Sequence, residues 1–315
     1  MRSIHCCAGL TVIAIAIAVA AAHGDATFEL ASVGVGSCNR HDRDQSYWGR
    51  LGDAVARRGK DKADGFVWLG DVVYNDHSPV IFVWRPDTLE RMRGKMVTFR
   101  NSPHYANFAA NRVAPGHVVG VWDDHDMGKN DGGREYELRA ETQTLFLDFL
   151  DVPKESARRR RVGVYSAHGI PIDRKALAAA EPSLSAESKA LLRGKEYSVC
   201  TILLDGRSGR DALGSNGDML GPEQWEWLDR TIADPADELG PIASDAEDVD
   251  ETAGAGSGTL FDRCLVTIIG SGVQVLSDEK PTEHWGHFAK SRQRLAALLH
   301  KHRAERFVFF SGDVH

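Results

Sequence analysis

The stretch Val119-Gly120-Val121-Trp122-Asp123-Asp124-His125-Asp126, with Asn130 and Asp131 just behind it, is where the reading of this chain begins. A short apolar run predicts a strand, and three carboxylates and an imidazole crowd its end. Held together out of water, such groups repel one another and lose hydration unless a cation compensates them. A metal site is the simplest resolution.

Three more runs end in the same way. Phe66-Val67-Trp68-Leu69 leads into Gly70-Asp71-Val72-Val73-Tyr74-Asn75-Asp76-His77, Phe307-Val308-Phe309-Phe310 into Ser311-Gly312-Asp313-Val314-His315, and Leu30 to Val35 into Gly36-Ser37-Cys38-Asn39. Donors at strand ends fit the crevice at the carboxyl ends of strands in open α/β sheets.

With 315 residues, 42% of them hydrophobic, the chain can bury a sizeable core. A net charge of -7 lacks the basic footprint of a general nucleic-acid binder and favours small-molecule chemistry. After Met1-Arg2, an apolar stretch from about Ala8 to Ala22 ends in small residues before His23-Gly24-Asp25. This is the layout of a signal peptide, so residues 1–24 are expected to be a leader, the rest (27–315) one secreted domain without a stable membrane anchor. Export leaves Cys38, Cys200 and Cys264, of which the last two read either as a disulfide or as two buried thiols.

Strand-like runs alternate with helix-like ones, which predicts an α/β or layered α+β architecture. Helical spacing links Trp48, Leu51 and Val55; Leu138, Leu145 and Phe149; Trp225, Leu228 and Ile232 behind Pro222; and Leu295, Leu298, Leu299 and His302. Asp234 to Gly258 is acidic and Gly/Ala-rich, as expected of a surface loop. Arg158 to Arg161 reads as a solvated run before a strand at Gly163 to Ser166 rather than a phosphate-binding patch.

The clustered donors suit two or more metals sharing a bridging carboxylate, with Asp71 the natural bridge. Tyr74 and Cys38 are anionic ligands when deprotonated and favour a transition metal such as ferric iron; Asp124 and Asn130 suit a harder cation such as calcium.

In order and spacing, Gly36-Ser37-Cys38, Leu69-Gly70-Asp71-Val72-Val73-Tyr74 and Trp122-Asp123-Asp124-His125-Asp126 resemble the first motifs of PhoD-like alkaline phosphatases. Leu204-Asp205-Gly206-Arg207, Met219 to Trp225, Gly270 to Gln274 and Ser311-Gly312-Asp313-Val314-His315 continue the match. The resemblance implies a metallophosphoesterase fold of two packed sheets flanked by helices, and hydrolysis of phosphate mono- and diesters with iron and calcium. It implies Cys38, Asp71, Tyr74, Asp124, Asp313 and His315 as metal ligands, with Asn130 a further candidate. His125 resembles the proton donor or a phosphate contact, and Arg207 a residue that holds the phosphate. Three features depart from the pattern: a lone Arg2 before the apolar run, Gly206 where Thr is usual, and an end at His315 where the family's chain continues.

The expected activity is phosphoester hydrolysis by attack of a metal-bound hydroxide, with a small phosphate ester as substrate. One rival is a free Cys38 thiolate as nucleophile; another is a binding protein that keeps the fold without turnover.

Overall fold

The computed structural model describes residues 2–5, 11–20, 27–56, 62–80, 83–213, 217–239, 258–278 and 282–314. His315 and most of the acidic segment, residues 240–257, lie outside them. Along the chain run β1 (Arg2–His5), β2 (Thr11–Ala20), β3 (Thr27–Ser37), β4 (Gly65–Leu69), β5 (Asp76–Val80), β6 (Val83–Pro86) and β7 (Val118–Val121). They are followed by β8 (Ser166–Pro171), β9 (Tyr197–Leu204), β10 (Cys264–Ser271) and β11 (Phe307–Ser311).

Two sheets carry the architecture, in the orders β1-β2-β3-β4-β7 and β11-β10-β9-β8, with β5 and β6 a separate hairpin. The pairs β3–β4, β4–β7, β9–β10 and β10–β11 are parallel. Parallel neighbours need crossover connections, here supplied by helices. All strands of a parallel set release the chain at the same end, so the residues after β3, β4 and β7 are brought together.

The apolar stretch expected to be a leader supplies β2, which runs antiparallel along β3 with Ile15 opposite Val33. Thr11–Ala20 alternates β-branched residues with alanine, a pattern that suits a pleated strand.

The sheets pack face to face: Val199, Leu203 and Ile268 of the second join the core built on Val33, Val35, Val67 and Leu69 of the first. Outside the first sheet, Trp48 of the helix Tyr47–Val55 sits 4.8 to 5.9 Å, ring to ring, from Phe66, Trp68, Tyr105 and Phe108. Outside the second, Trp225, Leu228 and Ile232 of Pro222–Ala233 and Leu295, Leu298 and Leu299 of Ala289–Lys301 form another core. The molecule is thus a mixed α/β sandwich, two sheets flanked by helices. Within the second core a disulfide joins Cys200 of β9 to Cys264 of β10.

Two expectations are corrected here. Residues 307–310, which read as a buried strand, form an edge strand with Phe307 exposed, because β11 pairs with β10 alone among the described residues. The strand expected from Gly163 starts at Ser166, since Gly163 adopts φ 100° and its amide donates to the Gln143 side chain instead of a ladder.

Candidate metal centre

Three strands of the sandwich hand over to a donor within two residues, each in the left-handed region. Cys38 after β3 has φ 58°, Asp71 after β4 has φ 53°, and Asp313 after β11 has φ 53°. Non-glycine residues rarely adopt this conformation, and where they do the surroundings must hold them there. The Cys38 amide donates to Gly70 O at 3.2 Å, the Asn39 amide to Asp71 O at 2.7 Å, and Gln274 Nε2 to Asp313 O at 2.8 Å. Glycines permit the crowding: a Cβ on Gly70 would lie 2.4 Å from Asp123 Cβ, and one on Gly312 2.1 Å from Leu69 O.

The four charged residues after β7 divide their work. Asp126 accepts from the amides of Val73 at 2.9 Å and Asp123 at 3.1 Å, so it ties the two loops together. Asp123 pairs with Arg207 Nε at 2.5 Å. Asp124 accepts from the Asp131 amide at 2.8 Å, and His125 shares a 2.7 Å hydrogen bond between Nδ1 and Asp76 Oδ1. Asp71, Asp124 and His125, all buried, each bring one ligand atom to within 4.8 Å of the others.

Electrostatics reflects that crowding. Burial pushes the Asp123 carboxyl up against the opposing charge of Arg207, while Asp124, although buried, is held low by His125 and Arg207. For His125 burial acts downward, but Asp124, Asp71 and the Asp76 hydrogen bond raise it to about 10. Burial and the Asp71 charge push both the Cys38 thiol and the Tyr74 phenol upward, so both belong to the same field. A buried thiol beside a carboxylate is the opposite of an activated nucleophile, which argues against the Cys38 rival.

Arg207 is enclosed by charge. Its guanidinium pairs with Asp123 and Glu283, stands 3.7 Å from Asp124, and is only 1% exposed; Arg210 joins from the far side, 2.9 Å from Glu283. Asp205 fixes the loop by accepting from the amides of Arg207 and Ser208, both at 2.9 Å, and Gln224 brackets the Asp205 backbone at 2.8 Å. Arg207, expected to hold a phosphate, lies buried beside the cluster with its Nε on Asp123 and one terminal nitrogen on Glu283.

Cys38, Asp71, Tyr74, Asp124 and His125 are thus gathered in one place. Asp313 reaches its edge, where the Val314 amide lies 3.5 Å from Cys38 Sγ. Asn130 is not drawn in: its amide nitrogen bonds to Asp131 at 2.9 Å near the surface. His315 is outside the described residues. Three participants went unassigned in the sequence. Asp76, within the run after β4, orients His125; Trp84 of the β5–β6 hairpin places its ring 4.7 Å from that of His125, whose neighbour Tyr74 is 4.3 Å away; Glu283 backs Arg207. A Glu two residues before the fully buried Trp285 was a usable signal for Glu283.

The donor set fits a cation. Backbone amides satisfy Asp126 and Arg207 answers Asp123, which leaves Asp71 and Asp124 as close carboxylates with an imidazole beside them. Buried Asp76 Oδ2 and Asp123 Oδ2 have no hydrogen-bond partner among the described residues. Carboxylate and imidazole oxygen and nitrogen donors, with phenol and thiol in the same field, are those used by biological metal sites.

The solved structure titled "Structure of PhoD" resembles this chain with a TM-score of 0.56 at 14% identity, over 93% of this chain and 56% of that one. The chain therefore spans about half the length of the PhoD structure it matches. Among curated proteins none matches. The PhoD-like phosphatase family profile matches residues 33–315, which takes in every donor described above together with the Arg207–Glu283 network that supports them. The chain belongs to the PhoD-like phosphatase family.

Proposed function

We propose that this chain is the catalytic part of an exported, metal-dependent phosphoesterase acting on small phosphate mono- or diesters. The observation that carries it is the buried cluster of Asp71, Asp124 and His125 in a chain of a phosphatase family. Asp71 and Asp124 would hold the cations, with Cys38, Tyr74, Asp313 and His315 as further ligands. Bound there, the cations would supply positive charge against the phosphoryl oxygens and lower the pKa of a water.

His125 donates a proton to the leaving oxygen. Asp76, accepting from Nδ1, fixes the ring's orientation and favours its charged form before transfer, while Tyr74 and Trp84 hem it in. Arg207 acts as a positioning residue, holding Asp123 and steering Asp124 rather than touching substrate. Tyr74 and Cys38 beside Asp71 favour ferric iron, and Asp124 favours calcium. The Cys200–Cys264 disulfide supports an oxidising compartment outside the cytosol.

Elemental analysis of the purified protein, combined with hydrolysis of p-nitrophenyl phosphate and its diester, tests this reading. Metal and turnover should be lost together on chelation and return together. Iron ligated by Tyr74 should give a visible charge-transfer band that Tyr74→Phe removes. Full metal content without turnover of either ester would mark a binding protein instead.

A further inference from the structure

The arginine run, expected to be solvated, is half-buried at Arg158, Arg159 and Arg161, and Arg158 differs from the other two in what it pairs with. Residues Ala157–Arg159 form a single 3-10 turn, begun by Ser156, whose Oγ accepts from the Arg158 amide at 3.3 Å. Arg159 pairs with Asp148 at 2.8 Å and Arg161 with Glu238 at 3.0 Å. Arg158 has no carboxylate at ion-pair distance among the described residues. One of its terminal nitrogens donates to Val164 O at 3.2 Å, and its Nε is buried without a hydrogen-bond partner. Burial, then repulsion from Arg161, brings its guanidinium down to about 10. Glu238 offsets this only in part and no described carboxylate touches the guanidinium, so its buried Nε gives up hydrogen bonds to water without replacing them.

Arg158 lines a cavity of about 710 Å³. That volume is within the usual range for small-molecule sites. Ala106 and Ala109 of the helix Pro103–Asn111, Val118 and Val119 of β7, and Phe149 form apolar walls. His168 of β8 also faces it; burial, with Arg158 and His117 nearby, lowers its imidazole to about 3 and leaves it a neutral polar group. Two other charges at the rim, Arg100 and Asp151, already pair with each other. The cavity lies against the start of β7, whereas Asp124 follows its end, so this is a place apart from the metal centre.

We infer that this cavity binds an organic anion with an apolar body, its head group on Arg158 and His168 and its body against Val118, Val119 and the alanines. A carboxylate or sulfonate would give the guanidinium the charge-assisted hydrogen bonds it lacks. Filling the apolar walls would add hydrophobic contact.

The full chain tests this with decanoate as probe, decanol as its uncharged counterpart, and anilinonaphthalene sulfonate as a fluorescent competitor. Decanoate should bind and displace the dye, decanol should bind at least about tenfold more weakly, and Arg158→Met should remove that difference. Ala106→Trp fills the cavity and should abolish binding of both while leaving phosphoester turnover and thermal melting unchanged. Unaltered decanoate binding by either variant would overturn the assignment, as would equal affinity of the native chain for decanoate and decanol. If Arg158→Met fails to fold, the Ala106→Trp result decides alone.

Discussion

Arg207 donates its Nε to Asp123 across 2.5 Å while the same guanidinium closes on Glu283, and all three side chains are sealed from solvent. Removing the cation would strand buried Asp123 and leave Glu283 with Arg210 alone, and breaking a buried pair in this way typically costs about 3–5 kcal/mol. Arg207→Met should therefore lower stability by about that amount in urea melts and weaken metal retention. Replacing Asp123 and Glu283 with their amides in the same chain should recover part of the stability. A single Arg207→Met variant as stable as the parent would mean that the network is not needed to compensate these charges.

Asp71→Asn should strip bound metal and turnover together, because an amide keeps the shape but not the charge that would hold two cations. Elemental analysis alongside a rate assay checks this. Near-normal turnover with full metal content would remove Asp71 as the bridge.

His125→Ala is expected to lower turnover about a hundredfold or more for alkyl esters, and less for p-nitrophenyl esters whose leaving group needs little protonation. Asp76→Asn should reproduce a fraction of that loss with the same dependence on leaving group. Equal losses across both ester types would argue for His125 as a ligand or phosphate contact.

The cystine between β9 and β10 closes a sequence separation of 64 residues. Its loss through Cys264→Ser should cost about 2–4 kcal/mol, the usual worth of a disulfide, and reductant should have a similar effect on the parent. Coincident urea curves for parent and variant in oxidising buffer would show that the bond contributes nothing.

Acid should weaken the fold partly through His168. Burial lowers its folded value from 6.5 to about 3, so the unfolded chain takes up a proton below the ordinary value while the folded chain does not. This contribution is complete above pH 6.5, declines as pH falls, and is exhausted near 3. Its slope is at most about 1.4 kcal/mol per pH unit for one proton. Urea midpoints at mildly acidic and neutral pH should differ less in His168→Gln than in the parent, and equal differences would show that His168 is not the titrating group.

Much of the sandwich was legible because its signals are local. Trp48, Leu51 and Val55 keep one helix face, and the apolar runs at 66–69 and 307–310 end in donor-rich loops that the parallel topology brings together. The gathering of Cys38, Asp71, Tyr74, Asp124 and His125 in one place was legible for the same reason. Local reading failed where long-range partners decide. Nothing within the Asp123-Asp124-His125-Asp126 run tells that Asp123 is answered by Arg207 or Asp126 by backbone amides. Asn130 looked like a donor by proximity in sequence, yet the turn directs it to Asp131. Arg158 and Arg159 are adjacent and chemically identical, and only the tertiary packing sends Arg159 to Asp148 and Arg158 to the wall of a cavity.

The left-handed backbone at Cys38, Asp71 and Asp313 bears on how this protein can be redesigned. Asparagine and aspartate tolerate that conformation, glycine adopts it freely, and β-branched residues resist it. An alanine scan of these positions would mix backbone strain with lost coordination and exaggerate the chemistry of each donor. Libraries intended to change metal preference should therefore draw on Asn, Asp and Gly at positions 38, 71 and 313, reserving bulkier donors for positions 74 and 124.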